Sequence, residues 1–155
     1  MQRFIGAWRL VAFEEEGPDG ELVYPYGQDA TGLLIYDSSG RMSVQIMKRD
    51  RAPLSSADWH SLPAEEIKKA IEGFTAFFGS YEVDEANGIV IHRVEGHVLP
   101  KSVGKVLRRE FAFVGDLLVL KPLPNRRVIW ERIAAPDIPG ENDIDGNLIG
   151  VETLP

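Results

Sequence analysis

Two polar side chains on neighbouring predicted strands are the strongest candidates for chemistry in this chain. His92 lies in Gly88–Val98 and Arg109 lies in Lys105–Val114, each on the more apolar face of an alternating pattern. Because successive residues of a strand point to opposite faces of a sheet, both side chains are predicted to point inward. A buried guanidinium needs an anion or several acceptors. We therefore expect beside Arg109 either Glu82 or another internal acid, or else a ligand carboxylate or enolate.

An inward-facing histidine, tyrosine and arginine could also transfer protons on a bound molecule. His92 or Tyr81 would act as the acid or base, and Arg109 would stabilise an oxyanion. The simpler interpretation of His92 is a hydrogen-bonded core histidine. Both interpretations stay open from the sequence.

The opposite face of the His92 strand carries a second polar cluster. Arg93, Glu95 and His97 alternate with the inward set, and we predict that they form a solvated group on the outer surface. A bulge at Gly96 would change the placement of His97, because glycine inside a strand often marks such a bulge.

The other predicted ligand contacts are mostly apolar. Alternation within strands and the apolar stripe of a predicted helix select them, although for Arg41–Met47 the sequence leaves open which face points inward. An apolar pocket with a few convergent polar groups is typical of small-molecule sites. With His92 and Arg109, the predicted set comprises Tyr36, Met42, Val44, Gln45, Phe74, Phe78, Tyr81, Phe111 and Trp130.

Other kinds of chemistry lack support in the sequence. The three histidines have no spacing typical of a metal site, and the chain contains no cysteine. Neither a glycine-rich phosphate loop nor a nucleophile elbow is present. We therefore expect no metal and no cofactor.

The elements that must position these residues are antiparallel strands. About eight segments read with period 2, and three pairs are joined by the turn sequences Asp37–Gly40, Glu85–Gly88 and Gly115–Asp116. Close and regular spacing of this kind is typical of an all-β barrel or sandwich.

One segment, Pro63–Phe78, is predicted to be a helix. Its apolar residues Ile67, Ile71, Phe74 and Phe78 are spaced i, i+4, i+7, i+11. Because only Gly79 separates it from the next strand, we expect the helix to cover one mouth of the barrel with Phe74 and Phe78 facing inward. The polar loop Lys48–Leu62 would lie beside the same mouth as a lid.

Composition limits the partners and the compartment. Seventeen Lys and Arg against 24 Asp and Glu give a net charge of −7, which disfavours nucleic acid. The start lacks the apolar run of a signal peptide, and no stretch is long enough to cross a bilayer. We expect a cytoplasmic protein without membrane insertion and leave a homodimer open. Residues 1–134 form the predicted barrel, and 135–155 a polar tail that is extended or poorly ordered.

The first and last strands resemble those of lipocalins. Gly6-Ala7-Trp8 matches the Gly-x-Trp of a lipocalin first strand. Arg132 ends the last strand, where many lipocalins have an arginine that packs across that tryptophan. The wider pattern over Phe4–Ile133 resembles the bacterial and fungal lipocalin-like domain family. The resemblance implies an eight-stranded antiparallel barrel. Stacking of Arg132 on Trp8 would close the barrel floor.

Three functional interpretations follow. The barrel binds a small hydrophobic or amphipathic molecule, or it is a cofactor-independent isomerase, cyclase or dehydratase acting on a polyketide- or terpenoid-like molecule, or its own side chains fill it. The size of the cavity separates them, since sites for small molecules start at about 300 Å³.

Overall fold

The chain alternates between extended strands and short turns over the 133 residues that the computed structural model describes, 2–134. The predicted tail 135–155 lies outside these residues. One α-helix, α1, spans Ala64–Glu72, and two short 3₁₀ turns span Trp59–Ser61 and Pro100–Ser102. The strands are β1 (Gly6–Glu16), β2 (Leu22–Val23), β3 (Thr31–Tyr36), β4 (Arg41–Met47), β5 (Phe74–Asp84), β6 (Ile89–His97), β7 (Val106–Val114), β8 (Leu117–Leu123) and β9 (Arg126–Arg132).

The strands form a closed antiparallel barrel. Neighbours in sequence pair from β3 to β9, and β1 pairs with both β3 and β9, which closes the sheet. The two-residue β2 only extends β1 at Glu15 and Glu16. Eight strands therefore make the wall, which confirms the predicted all-β, eight-stranded barrel.

The two ends of the barrel differ. The tight turns between β3 and β4, β5 and β6, and β7 and β8 gather at one end, where the turn before β1 places Phe4 against the interior. The Phe4 ring lies 4.8 Å from the Phe111 ring, 5.2 Å from Phe113 and 5.3 Å from Tyr36, each nearly edge to face. This aromatic cluster fills the closed end. The longer connections, including the one with α1, lie at the other, open end.

Trp8 and Arg132 close the barrel floor as predicted. The Arg132 guanidinium carbon lies 4.1 Å from the centre of the Trp8 ring. Its Nη1 donates to the carbonyl of Ile5 at 2.7 Å, and its Nη2 donates to the carbonyl of Arg3. Gly6 has a φ of +134°, and a Cβ there would lie 2.8 Å from Nη1 of Arg132. The floor therefore requires glycine at this position.

The predicted helix is only half correct. The helix ends at Glu72, and Phe74 begins strand β5. Apolar residues at helical spacing continue into β5, but the β-branched and aromatic run Phe74–Phe78 pairs with β4 residue by residue. The helix lies in the β4–β5 connection at the open end, together with the polar loop 48–62, and none of its residues lines the cavity described below.

Three irregularities in the ladder reverse strand alternation near the open end. The register shifts between Leu10 and Ala12 in β1, opposite Gly79 in β6, and between Leu120 and Leu123 in β8. Each extra residue turns the following side chain to the other face.

No helix in residues 2–134 is long and apolar enough to cross a bilayer.

Candidate ligand-binding site

The barrel encloses a cavity of about 230 Å³ that opens between the long connections. This is below the ~300 Å³ criterion for a small-molecule site, so cavity size alone does not favour binding over a barrel filled by its own side chains. A ligand must be small or must extend through the mouth. Aliphatic and aromatic side chains make most of the wall. None of the 19 lining residues is acidic, and three are cationic: Lys105, Arg109 and Arg126.

Four of the predicted contacts line this cavity. They are Val44, His92, Arg109 and Trp130. Tyr36, Met42 and Tyr81 point inward but are buried in the core below it.

The other four predicted contacts lie away from the cavity. Gln45 is on the opposite face of β4 and donates to Ser43 Oγ at 2.7 Å. Phe111 belongs to the aromatic cluster at the closed end. Phe74 and Phe78 point outward, because the lining residues Thr75 and Phe77 occupy the inner face of β5, and Phe78 is 52% exposed. The prediction that these two rings face the interior is wrong.

His92 bridges Tyr36 and Arg109 at the inner end of the cavity. It is 1% exposed. Its Nδ1 is 2.9 Å from Arg109 Nη1 and its Nε2 is 2.7 Å from the Tyr36 hydroxyl. A guanidinium can only donate, so Nδ1 accepts and the neutral ring carries its proton on Nε2. Nε2–H then donates to Tyr36 Oη.

The environment keeps this histidine neutral. Burial, and then the Arg109 charge, hold the pKa of His92 well below its usual range. Burial also raises the pKa of Tyr36, so its hydroxyl stays protonated. Both ring nitrogens of His92 are occupied. It therefore cannot take a proton from a ligand without breaking a contact with Arg109 or Tyr36.

Tyr81 is occupied in a different way. Its hydroxyl donates to the backbone carbonyl of Asp37 at 3.0 Å, at the turn between β3 and β4. Its ring packs 4.6 Å from that of Tyr36. The structure therefore gives Tyr81 a packing role beneath the cavity and does not bring its hydroxyl to the cavity wall.

Arg109 has no carboxylate partner among residues 2–134. The acid considered for it, Glu82, lies outside the barrel and pairs with Arg93 at 3.3 Å. Burial lowers the pKa of Arg109, yet a guanidinium stays cationic at neutral pH. Within residues 2–134, its charge is faced by His92 Nδ1, by the ring of Phe77 5.6 Å away and, without a hydrogen bond, by the Tyr36 hydroxyl.

His97 is a cavity residue that simple alternation places on the wrong face. The register shift leaves Glu95 unpaired between the pairs Val94–Gly79 and Gly96–Phe78, which turns His97 inward. Its ring stacks on Phe77 at 5.6 Å and 4°. Glu95 stays outside in an ion pair with Arg41 at 2.6 Å. The prediction of an outer cluster is thus correct for Arg93 and Glu95 and wrong for His97.

Glycines carry the sequence signal for this bulge. A Cβ on Gly79 would lie 1.9 Å from the carbonyl oxygen of Arg93, and one on Gly96 would lie 2.3 Å from the Phe78 ring. The backbone contact excludes any side chain at position 79, whereas a side chain at position 96 would have to displace the Phe78 ring. Two facing glycines in adjacent strands could therefore have indicated the irregularity, as Gly96 alone partly did.

The tautomer of His97 is also fixed. The backbone N–H of Leu99 donates to its Nδ1 at 2.8 Å. The neutral ring therefore carries its proton on Nε2. Burial and the nearby Lys105 charge lower the pKa of His97, so it is a hydrogen-bond donor near neutral pH.

Donors outnumber acceptors around the cavity. The indole N–H of Trp130 is buried without a hydrogen-bond partner in the described part of the chain. Of the three cations, only Arg126 is neutralised locally, by Glu15. No group of three or more potential metal ligands occurs within residues 2–134. The arrangement suits an apolar molecule with an oxyanion or another strong acceptor near Arg109.

Comparison with known proteins places the fold in a family but does not identify a ligand. No curated protein matches the chain. The family model described as a lipocalin-like domain matches residues 5–133, from the turn before β1 to the end of β9. The chain belongs to the lipocalin-like domain family.

Proposed function

We propose that this barrel binds a small amphipathic acid, with its apolar body in the cavity and its oxyanion at Arg109. The coarser conclusion, a lipocalin-like barrel suited to a small hydrophobic ligand, follows from the family and the apolar wall. The Arg109 charge at the inner end of that wall supports the more specific proposal, an amphipathic acid.

The unpaired Arg109 is the observation that carries the proposal. Removing a guanidinium from water costs several kcal/mol unless an anion or several acceptors compensate for it. The one hydrogen bond to neutral His92 uses a single N–H of the five that the side chain carries. A carboxylate or enolate entering from the mouth would accept from the remaining donors, and such charge-assisted bonds are among the strongest in proteins.

The polar network behind Arg109 supports binding more than proton transfer. On the core side, His92 Nδ1 lies 2.9 Å from Nη1 of Arg109. His92 is itself held by Tyr36, whose hydroxyl lies 2.7 Å from Nε2. The cofactor-independent isomerase, cyclase or dehydratase needs a free base at the cavity. His92 has both nitrogens engaged, and Tyr81 donates to a backbone carbonyl. The enzymatic alternative therefore has weaker support.

Calorimetry with a simple acid tests the proposal. We expect octanoate to bind the protein and methyl octanoate, which lacks the charge, to bind at least tenfold more weakly. Arg109→Gln should weaken octanoate binding by about 10- to 100-fold, because a hydrogen bond to a charged group contributes about 1.5–3 kcal/mol.

Arg108→Gln is the matched control. It removes the same charge one residue away on β7, where the side chain is exposed, and should leave the affinity unchanged. Equal affinity for acid and ester, or equal losses in the two variants, would show that Arg109 does not receive the ligand's charge.

A further inference from the structure

A second cation lies on the same side of the cavity as Arg109. Lys105 directly precedes β7, Leu107 and Arg109 follow it at alternate positions, and all three line the cavity. Four residues of extended chain separate the Cα atoms of Lys105 and Arg109 by about 13 Å, at ~3.3 Å per residue. Lys105 lies at the mouth and Arg109 at the inner end.

The wall between these two charges is mostly apolar. Leu107 lies between them on the strand, and Val94 of β6, whose backbone N–H donates to the Lys105 carbonyl, lines the cavity beside it. The polar exception is His92, which pairs with Leu107 across the sheet and already contacts Tyr36 and Arg109. A ligand that contacts both cations must therefore have an apolar middle.

Lys105 forms no ion pair with a carboxylate among residues 2–134. The neighbouring mouth cation Arg126 shows the opposite arrangement, since Glu15 neutralises it. Close to Lys105 lies His97, whose N–H is on Nε2 because Leu99 donates to Nδ1. The mouth thus offers a cation and a neutral donor, as the inner end offers Arg109.

We infer that the cavity binds a medium-length molecule with a carboxylate at each end, the inner one at Arg109 and the outer one at Lys105. This inference rests on the proposed function and narrows it from amphipathic acids to diacids. The absence of acidic residues among the 19 that line the cavity supports it, because no side chain of the wall would repel either end. The net charge of −7 of the whole chain makes this local excess of cations more specific to the cavity.

The test compares suberate, the eight-carbon diacid, with octanoate by calorimetry at pH 7.5. We expect suberate to bind about two- to fivefold more tightly, the size expected of an ion pair at an exposed position. Lys105→Gln should abolish this preference and Lys105→Arg should keep it. Lys101→Gln removes a charge from the same connection but from outside the lining set, and should also keep the preference.

The outcomes separate this inference from the function on which it rests. The diacid inference is wrong if octanoate binds through Arg109 but suberate binds no more tightly, or if Lys105→Gln retains the preference for suberate. In either case the proposal of an amphipathic acid at Arg109 is retained. If neither compound binds in an Arg109-dependent manner, both proposals are wrong.

Discussion

Two arginines, one at the closed end of the barrel and one in its interior, have opposite surroundings. At the closed end, Arg132 stacks on Trp8 and donates to the carbonyls of Ile5 and Arg3. At the inner end of the cavity, Arg109 contacts one neutral histidine and the face of Phe77. In the described part of the chain, hydrogen bonds to oxygen acceptors are present for Arg132, whereas the one hydrogen bond of Arg109 is to a nitrogen of His92.

On the proposed function, this difference distinguishes a structural arginine, Arg132, from the one proposed to bind the ligand, Arg109. Arg132 completes a floor whose carbonyls would otherwise lack donors, so its removal should affect folding. Arg109 is partly buried in the cavity wall and has no carboxylate partner within residues 2–134, so its removal should affect binding instead. A side chain of the same type thus has a role set by what its surroundings leave unsatisfied.

Arg132→Met should have the largest effect on stability. It removes two charge-assisted hydrogen bonds and the stacking on Trp8, which together contribute about 2–4 kcal/mol. We expect urea unfolding to show this loss, while octanoate affinity at a temperature where the variant is folded stays unchanged. Arg9→Met is the control, because its exposed ion pair with Glu131 should contribute at most about 1 kcal/mol. Equal losses in the two variants would contradict a structural role specific to Arg132.

Arg109→Met should behave in the opposite manner. Without ligand, the free energy of unfolding should stay constant or rise by about 1 kcal/mol, because a buried charge without a counter-ion is replaced by an apolar side chain of similar length. Octanoate binding should be lost. A decrease of 2 kcal/mol or more in stability would mean that Arg109, like Arg132, has a structural role.

The histidine beside Arg109 predicts how stability depends on pH. The pKa of His92 is lowered in the folded state, so below about pH 6.5 the unfolded chain binds a proton that the folded protein does not. The stability is therefore complete above pH 6.5 and falls as the pH decreases. Between pH 7.5 and pH 5.5 the protonation of this one group should lower the free energy of unfolding by at most about 1.4 kcal/mol.

His92→Gln isolates that effect. A glutamine can accept from Arg109 through its oxygen and donate to Tyr36 through its amide, as the neutral ring does, but it does not titrate. Chemical denaturation of the variant should lack this part of the pH dependence, and the rest, including that of His97, should remain. Identical pH profiles for the two proteins would show that His92 is not held neutral.

The smallest effect is expected at Phe78. Its ring is about half exposed on the outer face, so Phe78→Ala should change the stability by less than about 1 kcal/mol and leave octanoate affinity unaltered. Phe77→Ala, one residue earlier on the inner face, should weaken binding because Phe77 lines the cavity beside Arg109. The reverse order of effects would mean that the inner and outer faces of β5 are exchanged.

The sequence predicts the barrel well because strand alternation and hairpin turns are local signals. They place Val90, His92 and Val94 inside, where each is at most 3% exposed, and they turn Arg109 into the cavity. The closure of the wall and the stacking of Arg132 on Trp8 follow from the resemblance of the first and last strands to lipocalins.

The mouth is harder to predict because bulges interrupt the alternation there. Phe13, His97 and Pro122 all line the cavity, and each follows or lies within a register shift. A single extra residue reverses all side chains beyond it, and only the glycines at 79 and 96 mark such a position in the sequence. The end of α1 is misplaced for a related reason, since Phe74 and Phe78 fit a helical spacing and a strand equally well.

A crystal structure of the protein with octanoate tests the central claim most directly. We expect the carboxylate to lie within hydrogen-bond distance, about 3 Å, of the Arg109 guanidinium, with the alkyl chain running past Leu107 toward the mouth and the contacts of His92 with Tyr36 and Arg109 intact. A ligand bound in the reverse direction, with its carboxylate in solvent and its methyl end against Arg109, would contradict the assignment of Arg109 as the residue that receives the acid.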